Sequence, residues 1–425
     1  MNEEAPARGE DSLHGPVTAT PELALVAEQL WPTCASPDYR VVDHVGTHAD
    51  WITVEQQRVI GRRGRIDVIL PARRSAAARA LAAYSRLRAI RPRLTRLALA
   101  GGVLLGLVPE RNVVLEARKD IASDTVTVLR ELAQTLGSDI GAAMHVRRSA
   151  NRKALLHVVN RRGDTLGYAK LARNDVSSAG IRNEIQALSE LGGGTDVVRV
   201  PRVLTAGTLG DFPYLVTEPL PPRIRAVTPA LGDAPSIAEF AALSPVVRSG
   251  LPRSTEHLAR MHSRTDRLRQ VAEVEPLLGV LDTLLGHATQ SELVMPIARW
   301  SHGDFAFWNV GRTPQGQLWC WDFENVERDA LAGLDVLHWH ASRRRERSGV
   351  EGVGDRAGIL SDSLPTLRAF GVASPEKLAI LYRTYIAEIV LRTLETAADD
   401  GWSRTWVSRT ELIRLAEHTA GGGAV

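Results

Sequence analysis

Along the first 220 residues, apolar positions fall mostly in short β-branched runs. Beyond a proline cluster at Pro219, Pro221 and Pro222 they recur mainly at helical spacing. Between Tyr39 and Leu70 the runs YRVVDHV, DWITVE and RIDVIL predict strands. The Ala/Arg/Leu-rich stretch from Arg73 to Leu99 predicts helix, broken in two by Pro92. From about Asp120 a helical segment ends at Gly137. Three strand-like runs follow, GAAMHVRR, KALLHVVN and TLGYAKLA, joined by the polar turns SANR and RRGD. IRNEIQALSEL then puts Ile181, Ile185, Leu188 and Leu191 on one helical face and stops at Gly192 to Gly194. The runs VVRVPRVLTAG and FPYLVTEP add further strands.

This pattern divides the chain into a disordered leader (1–20), an α/β extension whose role the sequence does not specify (21–120), a small sheet lobe carrying one helix (121–218) and a mainly helical lobe (219–425). The prolines read as the hinge between the last two. The expected class is α+β: an antiparallel sheet lobe joined to a helical lobe, the layout of protein-kinase-like folds, with an additional N-terminal region.

Composition narrows the classes of function. With 44% hydrophobic and 24% charged residues among 425, the chain is too apolar to be disordered. The 52 Lys and Arg against 49 Asp and Glu leave a formal charge of +3, and no basic run is interleaved with aromatics, so no nucleic-acid partner is expected. RRRER at Arg343 to Arg347 reads as the solvated face of a helix, with phosphate binding as the minority reading. Two distant cysteines, Cys34 and Cys320, can form neither a disulfide framework nor a paired-cysteine zinc site. The start MNEEAPARGED is acidic, unlike a secretory signal, and the apolar stretch from Leu97 to Val108 is too short to span a bilayer. A cytoplasmic protein without a membrane partner is expected; oligomeric state is left open.

The candidate chemistry lies in SHGDFAFWNV followed by LWCWDFE. Asp304 precedes Asn309 by five positions, and Asp322 follows a strand-like run. Phosphoryl transfer to an alcohol needs a carboxylate to orient the hydroxyl and accept its proton, and oxygen ligands to hold magnesium against the phosphates. These three side chains could fill those posts. A second signal is lysine scarcity: the chain has four, Lys119, Lys153, Lys170 and Lys377. Lys170 sits in the apolar run LGYAKLA, where an ammonium needs a partner. Glu184 in the next helix is the best candidate carboxylate, with Glu190 as the alternative. His257 and His262, five apart in EHLARMHS, do not align for metal binding and read as structural. Phe305, Phe307 and Trp308 are candidates for core packing or for lining a substrate pocket.

HGDFAFWN and WDFE resemble the catalytic loop and metal-binding segment of the aminoglycoside and choline phosphotransferases. The resemblance spans about residues 120–425 and is specific around 301–335. It implies Asp304 as catalytic base, Asn309 and Asp322 as Mg2+ ligands, and His302 as a structural residue of the loop. Lys170 paired with Glu184 would hold the phosphates of ATP, and the backbone of Thr217, Glu218 and Leu220 would receive the adenine. Asp335 in GLDVLHW is similar to an aspartate that braces the loop, although Arg328, Asp329 and Ala330 stand where the family usually has Gly-Asp-Pro. No GxGxxG or Walker loop is present. The turn RRSANRK is polar and basic instead, with Ser149 as a weak phosphate contact, which excludes a P-loop NTPase.

The expected activity is transfer of the ATP γ-phosphate to a hydroxyl of a small molecule such as a sugar, an amino alcohol or an antibiotic. From residue 221 onward 23 basic and 25 acidic residues nearly cancel, which does not favour a polycationic acceptor. Two rivals remain at this stage. A catalytically silent nucleotide-binding regulatory module is disfavoured by the full set Lys170, Asp304, Asn309 and Asp322; a protein kinase is disfavoured by the absence of a glycine-rich loop and of an APE-like element.

Overall fold

The computed structural model describes residues 17–18, 20–43, 49–62, 64–83, 87, 90–146, 153–228 and 233–421. Most of the expected leader, the turn SANR and Ser149 lie outside the described residues.

The N-terminal region contributes β1 (Val17–Thr18), α1 (Pro21–Leu30), β2 (Tyr39–Val42), β3 (Trp51–Ile60), β4 (Val68–Pro71), α2 (Arg74–Ala82), α3 (Ile90–Leu105), β5 (Arg111–Arg118) and α4 (Val128–Leu136). The three predicted strands are present. The expected break at Pro92 is not: Pro92 is the third residue of α3, and α2 and α3 separate ahead of Ile90. A proline in a first turn removes an N–H that would have no intrahelical partner, so the helix starts around it rather than ending at it.

The small lobe follows with β6 (Ile140–His145), β7 (Ala154–Asn160), β8 (Thr165–Leu171), α5 (Asp175–Leu191), β9 (Val198–Arg199), β10 (Val203–Leu209) and β11 (Phe212–Thr217). Asn174 and Ser177 form a reciprocal capping box at the start of α5, and Gly192 ends it in a left-handed conformation. The single run expected over VVRVPRVLTAG is two strands in different sheets, because Pro201 between them has no N–H for a ladder.

One ten-stranded sheet runs β1-β2-β5-β3-β4-β6-β7-β8-β11-β10. Every pairing in it is antiparallel except β1 with β2. The β4 to β6 pairing, Val68 opposite His145 and Ile69 opposite Met144, carries the sheet across residue 120. The extension and the small lobe therefore share one sheet. They also share a core: Leu23, Val26 and Leu30 of α1 and Leu129 and Leu132 of α4 join Leu156, Val158, Ala169 and Leu171. The period-two alternation of strands turns the neighbours Leu155, His157, Tyr168 and Lys170 to the opposite face, which borders a cleft. On that face Ala77, Leu81, Ala100 and Val103 of the α2/α3 hairpin pack against Val68 and Leu70.

The second lobe contains β12 (Arg225–Ala226), α6 (Ile237–Leu243), β13 (Val246–Gly250), α7 (Glu256–Leu268), α8 (Glu275–Thr289), β14 (Met295–Ser301), β15 (Val310–Arg312), β16 (Leu318–Cys320), β17 (Glu327–Leu331), α9 (Leu334–Gly354), α10 (Arg356–Ala369), α11 (Pro375–Asp400) and α12 (Arg409–Ala420). Its core is built on α9 and α11, with Trp339, Leu381, Tyr382, Ile386 and Leu391 buried. Two small sheets, β12-β15-β16-β9 and β13-β14-β17, hold the loops between β14 and α9 at the interface with the sheet lobe. The chain is thus α+β in two lobes, a sheet lobe and a mainly helical lobe, with the N-terminal strands extending the first lobe's sheet. No helix among the described residues is long and apolar enough to cross a membrane.

Candidate active site

β14 ends at Ser301, and the following loop turns sharply at Gly303, where φ is +81° and an added Cβ would stand 2.1 Å from the Asn325 carbonyl oxygen. Only glycine accepts both conditions. The turn is held from α9 by Asp335. Its Oδ1 accepts from Ser301 Oγ at 2.8 Å and from the Gly303 N–H at 3.0 Å. Its Oδ2 accepts from the His302 N–H at 2.8 Å and from Ser244 Oγ at 2.5 Å. Asp335 thus contacts the loop as a brace would, with Arg328-Asp329-Ala330 upstream of it. Asp329 is engaged elsewhere, accepting from Arg248 and from the Glu256 N–H.

His302 is buried, which pushes its pKa down and keeps the imidazole neutral. Its Nδ1 accepts from the Asp304 N–H at 3.2 Å, so its Nε2 donates to the Trp321 carbonyl at 3.1 Å. One ring thereby ties the Asp304 loop to the strand that delivers Asp322. The Trp321 N–H donates back to the Asn309 carbonyl at 3.0 Å, a second tie.

The Asp304 carboxylate receives three donors. Oδ1 accepts from His338 Nε2 at 3.0 Å; Oδ2 accepts from Asn309 Nδ2 at 2.8 Å and from Trp308 Nε1 at 3.3 Å. Burial works to raise its pKa, but the bond and charge of His338, with help from His302 and Trp308, outweigh it and hold the carboxyl below the usual carboxylate range. Asn309 also donates to the Asp304 carbonyl at 2.9 Å. With its amide nitrogen so committed, it has its amide oxygen to offer.

Across the cleft, Lys170 donates to Glu184 Oε1 at 2.7 Å and to Asp322 Oδ1 at 2.6 Å. Burial opposes the ammonium, but Asp322 and Glu184 overcome that penalty and hold its pKa above the usual lysine value. Glu184 also accepts from the Phe323 N–H at 3.3 Å, which fixes α5 to the turn after Asp322. Glu190 bonds Gln186 and Arg328 instead, so of the two candidate carboxylates Glu184 is the partner. Asp322 adopts a left-handed conformation, with φ +70° and ψ +59°. Despite burial its carboxyl is held far below the usual range by Lys170 and Lys153.

Lys153 gained no role from the sequence, yet it bonds Asp322 Oδ1 at 3.3 Å and also Glu324 Oε2, with its side chain buried. Its signal was the same as that of Lys170: a rare lysine opening an apolar run. His338 was likewise passed over. It stands three residues after Asp335, one turn further along α9, a spacing that carries it towards the same loop.

A cavity of about 430 Å³ opens between the lobes, lined by Lys153, Lys170, Glu184 and Asp322 at one end and by Thr217, Glu218 and Leu220 at the connector. That is room for a ligand of nucleotide size. Tyr168, stacked on His157 with ring centroids 5.1 Å apart, forms part of its roof. Ala80, Leu81, Ala83 and Arg96 of the extension complete one wall. The Glu218 N–H donates to the Arg202 carbonyl at 2.9 Å, so that backbone donor is already engaged. Asp304 and Asn309 are not in the cavity lining; they stand beside it, joined through Trp308, which is.

The donors suit a hard divalent cation: an amide oxygen from Asn309 and a carboxylate from Asp322 whose two lysine partners both take Oδ1, leaving Oδ2 to a metal. A second cluster, His257, Glu327 and Glu388, is filled by protein cations, since Arg264 and Arg392 bond Glu388 and Arg260 bonds Glu327. His257 bonds Glu388 and His262 bonds Thr289, as befits structural residues. Phe305 is fully buried in the core, whereas Phe307 lines the cavity and packs edge-on against the exposed Trp308.

No family model and no curated protein matches the chain. Among solved structures it is similar to a Haemophilus somnus 129PT protein provisionally named a fructosamine-3-kinase, with 10% identity, 69% of this chain and 96% of that chain covered, and a TM-score of 0.45. It is also similar to an ethanolamine kinase of Plasmodium vivax, with 10% identity, 77% and 88% coverage, and a TM-score of 0.42. At that degree of similarity neither the activity nor the acceptor of those proteins transfers to this chain.

Proposed function

We propose that the protein is a magnesium-dependent phosphotransferase that moves the γ-phosphate of ATP to a hydroxyl of a small molecule. The observation that carries the reading is the meeting of Lys170, Glu184 and Asp322 at one end of a nucleotide-sized cavity, beside a loop that presents Asp304 and Asn309.

In this reading the base lies against Tyr168 and the connector at Thr217, Glu218 and Leu220. Lys170, positioned by Glu184, and Lys153 neutralise the phosphates. Asn309 and Asp322 hold Mg2+, which offsets charge on the transferring phosphate. Asp304 Oδ2 orients the acceptor hydroxyl; the new O–P bond forms as the bond to the bridging oxygen breaks, ADP leaves and the proton passes to the carboxylate. A carboxyl held below the usual range is a weak base. Asp304 therefore serves chiefly to align the hydroxyl and accepts the proton late in the transfer.

The test is incubation with Mg-ATP and a pooled library of alcohol-bearing metabolites and antibiotics, with phosphorylated products read by mass. Asp304→Asn is expected to abolish product while nucleotide binding persists. Full activity in that variant would contradict the assignment.

A further inference from the structure

Next to Asp304 the second lobe builds an aromatic site and fills it with its own cation. The Arg345 guanidinium lies over the Trp308 ring at 5.0 Å and over the Trp406 ring at 5.1 Å, measured to the ring centroids. Both indoles are anchored by their N–H groups, Trp308 on Asp304 Oδ2 at 3.3 Å and Trp406 on Thr393 Oγ1 at 3.2 Å. Both remain more than a third exposed, at 37% and 39%. Arg345 belongs to the RRRER cluster, but it does not share the fate of its neighbour Arg344, which is consumed by Asp355 and Asp362. No carboxylate of the described residues pairs with Arg345.

We infer that the acceptor alcohol carries an anionic group, a carboxylate or an equivalent oxyanion, that Arg345 binds; the inference rests on the phosphotransferase reading of the adjoining site. Aromatic faces attract cations, and this pair already holds one, so a cationic acceptor meets occupied faces and a like charge. A guanidinium held over aromatic rings keeps its N–H donors, a planar fork that matches a carboxylate. Trp308 contacts both groups, the guanidinium through its ring and Asp304 through its N–H. An anion on Arg345 thus places the rest of a small hydroxy acid against Asp304. The near balance of charge in this lobe conceals the feature, because selectivity here depends on one preorganised arginine.

The experiment compares wild type with Arg345→Met, which keeps the length of the stem. Acceptors are D-gluconate, D-glycerate and D-galacturonate, their neutral primary amides, and choline and ethanolamine as cationic controls. The wild type is expected to phosphorylate acids at least tenfold better than amides by kcat/KM, and Arg345→Met to erase that preference. Preferential turnover of the amides or the amino alcohols, or an acid preference that survives in Arg345→Met, would overturn the inference. A second readout does not depend on turnover. Titrating the protein loaded with a non-hydrolysable Mg-ATP analogue with gluconate is expected to quench tryptophan fluorescence saturably, with at least a tenfold weaker Kd in Arg345→Met. An unresponsive wild type, or equal Kd values, would overturn it. Binding of Mg-ADP is measured alongside; its absence from the wild type would remove the kinase reading itself, whereas its weakening in Arg345→Met alone would assign the arginine to the nucleotide and refute its role at the acceptor.

Discussion

His338 Nε2 stands 3.0 Å from Asp304 Oδ1, on the side of the carboxylate away from Asn309 and Trp308. The pair joins α9, which also carries the bracing Asp335, to the group proposed to align the acceptor. His338 acts through Asp304 and is a positioning residue.

Removing that donor leaves burial to dominate, so the Asp304 pKa rises. In the wild type kcat/KM should stay level on the acid side through the usual carboxylate range near about pH 4, with the acid limb below it. In His338→Phe the acid limb should move to higher pH and kcat should fall by roughly tenfold to a hundredfold, with the Kd for Mg-ADP little changed. A pH profile of both proteins checks this; coincident acid limbs would remove His338 from the account.

Lys170 is buried between two carboxylates, and taking away its charge leaves Glu184 without its cation. Lys170→Met should destabilise the fold by about 3–5 kcal/mol, measured by urea denaturation. Lys170→Met/Glu184→Gln should cost less than the two single changes added together, by about 1 kcal/mol or more. Because folding raises the Lys170 pKa, its contribution is complete below the unfolded lysine value of about 10.4 and is lost only as pH climbs from there towards the folded value.

Asp335→Ala would strand the His302 and Gly303 N–H groups in a buried turn. Each unsatisfied donor costs about 1–3 kcal/mol, so a loss of roughly 3 kcal/mol is expected. Thermal unfolding and turnover should fall together, since the same turn aims Asp304.

The shared sheet makes a statement about the N-terminal region. A chain beginning at residue 121 would leave β6 as a bare edge and strip α1 from Leu156 and Val158. Exposed edges and apolar surface of that kind promote association. Residues 121–425 expressed alone should be insoluble or bind a hydrophobic dye strongly; a soluble, cooperatively unfolding fragment would show instead that the small lobe stands without the extension.

The parts legible in the sequence were those with local signals. Period-two runs marked β2, β3, β4, β6, β7 and β8, the helical face of Ile181 and Leu188 marked α5, the five-residue spacing of Asp304 and Asn309 marked the loop after β14, and Asp322 was marked by the strand-like run it follows. Lys170 stood out because lysine is rare in this chain, and its partner Glu184 followed from the helix face. Contacts that close over long stretches of chain were not legible. Pairing of β4 with β6 brings together segments some 75 residues apart and depends on which strand edge is left open. The approach of Lys153 to Glu324 spans 171 residues. The approach of Arg345 to Trp406 needs the segment after α11 to fold back on α9, so RRRER looked like a solvated face when one of its members lies over two aromatic rings.

The most direct test of the central claim is a crystal structure with a non-hydrolysable ATP analogue and Mg2+. The account predicts the phosphates within hydrogen-bond distance of Lys170 Nζ, the metal on the Asn309 amide oxygen and the Asp322 carboxylate, and the terminal phosphate facing Asp304. A nucleotide lodged elsewhere, or one whose phosphates point away from Lys170, would contradict it.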